Sequence, residues 1–320
     1  MITEASYSKG LVMKILVLGA GGVGGYFGGR MAEAGLDVTF LVRERRKQQL
    51  VNNGLIVESK FGNISMSVKV ITIAEINSTF DLVLMSCKAY DLDDAINSIM
   101  PVMGSNSVVL PVINGLLQID VLQEKFGKNN VFGGVCYVGA NLNYKTGVIE
   151  HFGNFHSILF GEVDCNYNKL TQRFAALDSL VSFNIELKEK IMQTMWDKCA
   201  GQGALSSANI LTRSVVGDIT SGKSGRQFLN NVFAEGQEIC KANGFPMSHD
   251  VIKFYENIFD TKASPFATSM LRDMETGKVT EGQHIVGDLV KRADDHGVPV
   301  PIMKSALAAI EAYEAKLLLK

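Results

Sequence analysis

The sequence predicts an α/β fold of two parts, a doubly wound parallel sheet at the N-terminal side and an all-helical domain after it. Three observations predict this. From Met13 to about residue 185, short apolar runs alternate with helical periods. Beyond that point the apolar residues recur almost only at helical spacing. The length, 320 residues, exceeds what one ordinary core supports.

The elements follow in order. "KILVLG" (14–19) is a run suited to a strand buried on both faces. A helix through "GYFGGRMAEAG" ends at Gly35, and "DVTFLVR" (37–43) is the next strand. "FDLVLMS" (80–86), "SVVLPVI" (107–113) and "VFGGVCYV" (131–138) supply further strands, with "AYDLDDAINSIM" (89–100) as a helix between. This alternation predicts a parallel sheet. The break falls at 188–191, giving an N-terminal domain over 13–190 and a helical one over 191–320. In the latter, 225–244 is a long amphipathic helix stopped by Gly244, and 303–320 is another. Residues 1–12 read as an extension ahead of the first strand.

Composition excludes several classes. With 47% hydrophobic and 20% charged residues the chain is an ordinary globular one. A net charge of −2 gives no electrostatic reason to expect nucleic acid or an anionic membrane. Only "RERRK" (43–47) is locally basic. Cys87, Cys136, Cys165, Cys199 and Cys240 are scattered and match no metal-ligand spacing, so they read as reduced thiols of a cytoplasmic protein without a metal. No apolar run has the length of a bilayer span, and 1–12 lack a secretion signal's apolar stretch.

"GAGGVG" (19–24) follows the first strand and opens the first helix. Gly19 permits the tight turn, Gly21 admits a pyrophosphate to the backbone, and Gly24 lets helix and strand approach. With Ala20, Gly22 and Val23 they make the dinucleotide loop of a Rossmann domain, and the helix N-terminus offers free N–H groups to phosphate. The second strand ends at Arg43 where an NAD binder usually carries a carboxylate. A guanidinium suits a 2′-phosphate, which points to NADPH/NADP; a solvated basic helix start is the plainer alternative. "GDITSGKS" (217–224) fits a second phosphate-loop pattern literally. It lies in the helical half with no buried strand before it, so it reads as a turn with Gly222 and Gly225 ahead of a helix.

Lys198, in "MWDKCAGQGALSSAN" (195–209), poses a chemical question. On a helix Lys198, Gln202 and Ser206 share one face at i, i+4 and i+8, amid small and apolar residues. Two helical glycines cost about 1 kcal/mol each relative to alanine, tolerable where backbone or ligand must come close. The stripe therefore points to a site, against a lysine that merely reaches out to water.

The chain resembles the ketopantoate reductases (2-dehydropantoate 2-reductases). The resemblance rests on "GAGGVGGYFG", "SCKAYD" (86–91), "VINGL" (112–116), "MWDKCA" (195–200), "VVGDI" (215–219), "ATSMLRDMETGKVTE" (267–281) and "HGVPVP" (296–301). It implies that NADPH delivers hydride to the C2 carbonyl of a small 2-oxo acid, 2-dehydropantoate, on the route to pantothenate. Lys198 matches the proton donor and Glu281 the acidic contact to cofactor or substrate. Asn114 matches a contact to both, Lys88 a lysine near the nicotinamide, Ala140 a cofactor-lining position and Ser269 a contact to the substrate carboxylate. By local chemistry alone, Thr280 is expected to cap a helix with Gln283 as its capping-box partner, and Glu281 would balance that helix's dipole.

Four positions depart from the family pattern. Gln202, Ser206, Val216 and Val286 stand where the family usually, or its ketopantoate-specific members often, carry asparagine. A paralogue acting on another 2-oxo acid and a catalytically silent NADPH-binding sensor are the other readings. No nucleic acid or membrane partner is expected, and a homodimer is compatible with this reading.

Overall fold

All eight side chains of two short runs, Ile15–Leu18 and Val38–Leu41, are buried, as strands covered on both faces require. A computed structural model describes residues 13–164 and 169–319; the expected extension 1–12 and Cys165 lie outside them. The described chain divides into two compact units. One runs to Ile113 and resumes over Gln118–Ile191; the other joins Asn114–Leu117 to the chain from Met192 onward.

In chain order the strands of the first unit are β1 (Ile15–Leu18), β2 (Val38–Leu41), β3 (Leu55–Glu58), β4 (Ile64–Met66), β5 (Lys69–Ile71), β6 (Phe80–Met85), β7 (Met103–Pro111), β8 (Phe132–Leu142), β9 (Ile149–Glu162) and β10 (Asn184–Leu187). Five of them form an all-parallel sheet in the order β5-β2-β1-β6-β7. Ile15 is in register with Val38 on one side and Leu82 on the other. Strand order therefore reverses at β1, and ligands of such sheets sit at the carboxyl ends beside that switch. Its helices are α1 (Gly22–Glu33), α2 (Glu44–Asn53), α3 (Leu92–Ile99), α4 (Leu117–Phe126, whose first residue clusters with the second unit) and α5 (Lys169–Ala175).

The run 131–138, expected in the parallel sheet, belongs elsewhere. As β8 it pairs antiparallel with β9, from Phe132↔Glu162 to Leu142↔Ile149, in a second, mixed sheet of order β10-β9-β3-β4 with β8 flanking β9. The physical reason is visible in its burial. Phe132–Cys136 is buried without interruption beside β7, where Val131 bridges Val109, so its apolar run mimics a central parallel strand. The turn into β9 is set by Asn143, whose Oδ1 accepts the amides of Lys145 and Thr146 at 3.1 and 3.3 Å.

Helix α1 is enclosed by both sheets, and its glycines show how. A Cβ on Gly24 or Gly28 would fall 3.2 Å from Val17 or 2.7 Å from the Phe40 ring, both in the parallel sheet. One position on, Gly25 and Gly29 would meet Ile149 at 2.2 Å and Leu55 at 2.8 Å, both in the mixed sheet. Two glycine pairs at i, i+4 thus clear two faces of one helix.

The described part of the second unit is helical throughout: α6 (Ile191–Thr212), α7 (Val216–Ser221), α8 (Gly225–Ala242), α9 (His249–Asp260), α10 (Ser269–Glu275), a π-helical turn (Gln283–Gly287), α11 (Asp288–Asp295) and α12 (Pro301–Leu317). Gly244, the expected stop of the long helix, has φ +84° just past the end of α8. The second phosphate-loop pattern dissolves into α7 and a turn. Residues 217–221 are helical, α6 rather than a strand precedes them, and Gly225 sits so close to the Ile219 carbonyl that no side chain fits.

Candidate functional site

The loop after β1 has the shape a pyrophosphate needs. Gly19 takes φ +89°, a left-handed turn closed to most side chains. Gly21 caps α1 without a side-chain bond, and a Cβ placed on it would meet nothing within 4 Å. No acidic residue occupies the helix's first turn. The backbone is thus open at Gly21 and free of negative charge where an anion would sit. Gly22 and Gly24 face inward instead: a Cβ on Gly22 would lie 2.2 Å from the Ala140 carbonyl oxygen, and one on Gly24 would lie 2.5 Å from that of Gly19. Ala20 is buried and Val23 half-buried. Ser86 closes the switch by donating its hydroxyl to the Leu18 carbonyl at 3.1 Å.

The basic cluster divides by task. Arg46, which the sequence did not single out, donates to the Ala20 carbonyl and to that of Gly147, both at 3.0 Å, and so ties the glycine loop to the β8–β9 turn. Arg45 reaches the Tyr144 carbonyl at 3.4 Å, and Lys47 pairs with Glu75. Arg43 stands at the N-cap of α2 with its side chain 83% exposed, 3.9 Å from the Asp91 carboxylate, a separation worth little in water. Its guanidinium, like that of exposed Arg45, lies on the solvent side, and of the two Arg43 makes no hydrogen bond to the backbone of the β8–β9 turn. Lys88 is exposed just past the carboxyl end of β6, and Ala140 lies in β8 against the loop through its contact with Gly22. These residues all belong to the first unit.

The remaining candidates belong to the second unit, Asn114 included. Lys198 is half-buried on α6 and its Nζ donates to Asn114 Oδ1 at 3.1 Å. Its neighbours in sequence are structural. Trp196 stacks on Phe245 at 5.4 Å between ring centres, and Asp197 accepts the Ser248 amide at 2.9 Å at the start of α9. The helical glycines are explained by packing rather than by a ligand: a Cβ on Gly201 would strike the Tyr255 ring at 2.3 Å, and one on Gly203 would strike Leu289 at 2.4 Å.

Along the stripe, Gln202 is half-buried and Ser206 fully buried. The Ser206 hydroxyl has no hydrogen-bond partner, and neither has that of buried Thr268. Unpaired buried hydroxyls are rare in native proteins and fit a site that a ligand completes. One turn past Ser206, Asn209 accepts the Thr268 amide at 3.1 Å, which brings Ser269, the first residue of α10, to this end of the stripe. Val216, wholly buried, joins the same segment by donating its amide to the Phe266 carbonyl at 3.0 Å.

Glu281 is 7% exposed and precedes the π-helical turn. The expected capping box does not form. The Thr280 hydroxyl accepts the Gly282 amide at 3.1 Å but donates to Glu314 at 2.6 Å, while Gln283 turns to Glu311. The π-turn displaces Gln283 from the position an α-helical N-terminus would give it. Val286 is wholly buried. His284, which carried no signal in the sequence, lies beneath Gly115: a Cβ there would come 2.7 Å from the ring's Cδ2.

Comparison with known proteins identifies the family of the chain. The family described as "Ketopantoate reductase PanE/ApbA" matches residues 15–164, and its C-terminal counterpart matches 190–314. An "Uncharacterized oxidoreductase YkpB" of Bacillus subtilis is 34% identical over 95% of this chain and 100% of its own length. A "2-dehydropantoate 2-reductase" of Pyrococcus horikoshii is 26% identical over 95% of this chain and 98% of its own. Among solved structures, a D-mandelate dehydrogenase with NADH and anilino(oxo)acetate shares the fold, with a TM-score of 0.85 and 19% identity over 96% of this chain and 100% of that one. Matched over both units, the chain belongs to the ketopantoate reductase (PanE/ApbA) family.

Proposed function

We propose that the protein is an NADPH-dependent reductase of a small 2-oxo acid, with 2-dehydropantoate as the substrate and pantoate as the product. The observation that carries this reading is the half-buried Lys198 amine, held by Asn114 at the head of a stripe that ends in an unpaired buried hydroxyl. The cofactor fits the glycine loop because Gly21 leaves its backbone open and no carboxylate stands in the first turn of α1. When bound there it supplies the hydride. The protein's own residues do the rest. The Lys198 ammonium faces the carbonyl oxygen as negative charge grows on it and then gives up a proton from Nζ. Asn114 fixes where that amine points. Ser269, at the start of α10, offers its hydroxyl and helix amides to the substrate carboxylate. Glu281, buried just before the π-helical turn, fixes polar groups of cofactor or substrate.

Arg43 supports NADPH over NADH. Exposed at the N-cap of α2, where the second strand ends, and 3.9 Å from Asp91 as its nearest charged partner, its guanidinium can turn to a 2′-phosphate. Arg43→Ala is expected to weaken NADPH by about tenfold or more, the worth of a charge-assisted hydrogen bond, and to leave NADH unchanged. Fluorescence titration with both cofactors checks this; equal weakening of the two removes Arg43 from the phosphate.

A second reading concerns the acid itself. The Val216 side chain offers no hydrogen bond and Ser206 only a short hydroxyl where the family usually, or its ketopantoate-specific members often, carry asparagine, so the stripe also suits a 2-oxo acid with a more apolar side chain. Steady-state rates with a panel of 2-oxo acids, followed by NADPH absorbance, separate the two. The highest kcat/KM is expected for 2-dehydropantoate. A higher value for an alkyl or aryl 2-oxo acid shifts the assignment to that acid, and no turnover of any overturns the reductase.

A further inference from the structure

Gly115 and His284 are in close contact, and neither has a role in the reading above. Gly115 holds φ +107°, and a Cβ added to it would lie 2.7 Å from the imidazole Cδ2, 3.1 Å from Nε2 and 3.3 Å from the His284 carbonyl oxygen. The Asn114–Gly115 turn therefore rests directly on the histidine, with no room for a side chain between them. The imidazole is buried, 9% exposed, in the π-helical turn Gln283–Gly287. Burial pushes its pKa down against the opposing pull of Asp288 and Glu281, which leaves the ring neutral at physiological pH.

The contacts beyond His284 return to the helix that carries Lys198. Arg292 donates to Asp288 at 2.8 Å and lies 5.5 Å over the Trp196 ring. Trp196 is two residues before Lys198. Leu289 packs against Gly203 on the same helix. A ring of contacts is thus closed: Lys198 to Asn114, Gly115 to His284, α11 back to α6. Every member lies in the second unit.

We propose that His284 is a positioning residue for the proton donor: its imidazole is the floor of the Asn114–Gly115 turn, and through Asn114 it sets the place of the Lys198 amine. This rests on the reductase reading for its catalytic consequence, although the geometry itself does not. A π-helical turn is a costly local choice that is found frequently at functional sites, and here it carries the residue that supports the turn. A misplacement near 1 Å at a reacting group can cost about 10²-fold in rate, so a floor removed should be felt in kcat.

The test is a double-mutant cycle with a structural readout. His284→Ala is expected to lower kcat by about tenfold with NADPH affinity unchanged, and to have almost no further effect in an Asn114→Ala background, because the histidine acts through that side chain. His284→Phe, which restores a flat ring beneath Gly115, is expected to recover most of the rate. Equal losses in both backgrounds, or an unchanged kcat in His284→Ala, overturn the proposal. The side-chain amide signals of Asn114 in nitrogen-15 NMR spectra give an answer independent of turnover. They should move in His284→Ala, return in His284→Phe, and move also in Lys198→Ala. If the wild-type protein reduces no 2-oxo acid, the reductase reading fails, while Asn114 signals unmoved by His284→Ala would overturn the positioning role on their own.

Discussion

Lys198→Ala is expected to lower kcat for 2-oxo acid reduction by about 10²–10⁴-fold while NADPH still binds as in the wild type. In free energy that range is about 2.7–5.4 kcal/mol of transition-state stabilisation. The size follows from what the amine meets. A ketone oxygen is nearly neutral before hydride arrives and anionic afterwards, so the ammonium interacts more strongly with the transition state than with bound substrate. Its half-buried position raises that interaction above its value in water. Asn114, by accepting one of its hydrogens at 3.1 Å, fixes its direction before substrate binds. Lys198→Arg retains the charge, but a guanidinium is planar, wider and does not give up its proton, so the rate stays low. Thermal unfolding should be almost unchanged in both variants, which separates a chemical loss from a folding one. A Lys198→Ala enzyme with wild-type kcat would exclude this amine from the reaction.

Some of this is legible in the sequence alone. The strands 15–18, 38–41 and 80–85 are short, mainly apolar runs, broken only by Thr39 and Asp81, and their pattern is local, so they stand out in the sequence. Lys198, Gln202 and Ser206 could be grouped because helical spacing alone places them on one face. What was not legible depends on partners distant in sequence. The mixed sheet escaped because β3 is only half buried, β4 has three residues and β9 has many exposed positions, while the buried half of β8 imitates a central parallel strand. The glycines of α6 suggested a ligand, whereas Tyr255 and Leu289, more than 50 residues on in the sequence, occupy the space they leave. His284 had no signal at all. A lone histidine in a helical period is unremarkable until Gly115, about 170 residues earlier, is found against it. The capping box failed for a related reason: Thr280 and Gln283 have local spacing in their favour, but Glu314 and Glu311 on α12 compete for them.

Adjacent glycines in the dinucleotide loop should respond in opposite ways to the same methyl group. Gly22→Ala places a Cβ 2.2 Å from the Ala140 carbonyl oxygen and 2.7 Å from its carbon. Neither atom belongs to a flexible side chain, and Ala140 is held in register with His151 across the β8–β9 pair, so the clash must be relieved by shifting α1 or the strand. Overpacking of this kind costs about 1–3 kcal/mol, which for a unit of this size lowers Tm by roughly 2–12 °C. Gly21→Ala meets nothing within 4 Å, and Gly21 has φ −82° and ψ −161°, an extended conformation open to any residue. Its Tm should match the wild type, whereas NADPH affinity should fall, because the methyl occupies the approach a pyrophosphate uses. Calorimetry and NADPH fluorescence on the two variants decide the matter together. If Gly21→Ala binds NADPH as tightly as the wild type, the phosphates do not lie against Gly21, and the loop's open backbone has another purpose.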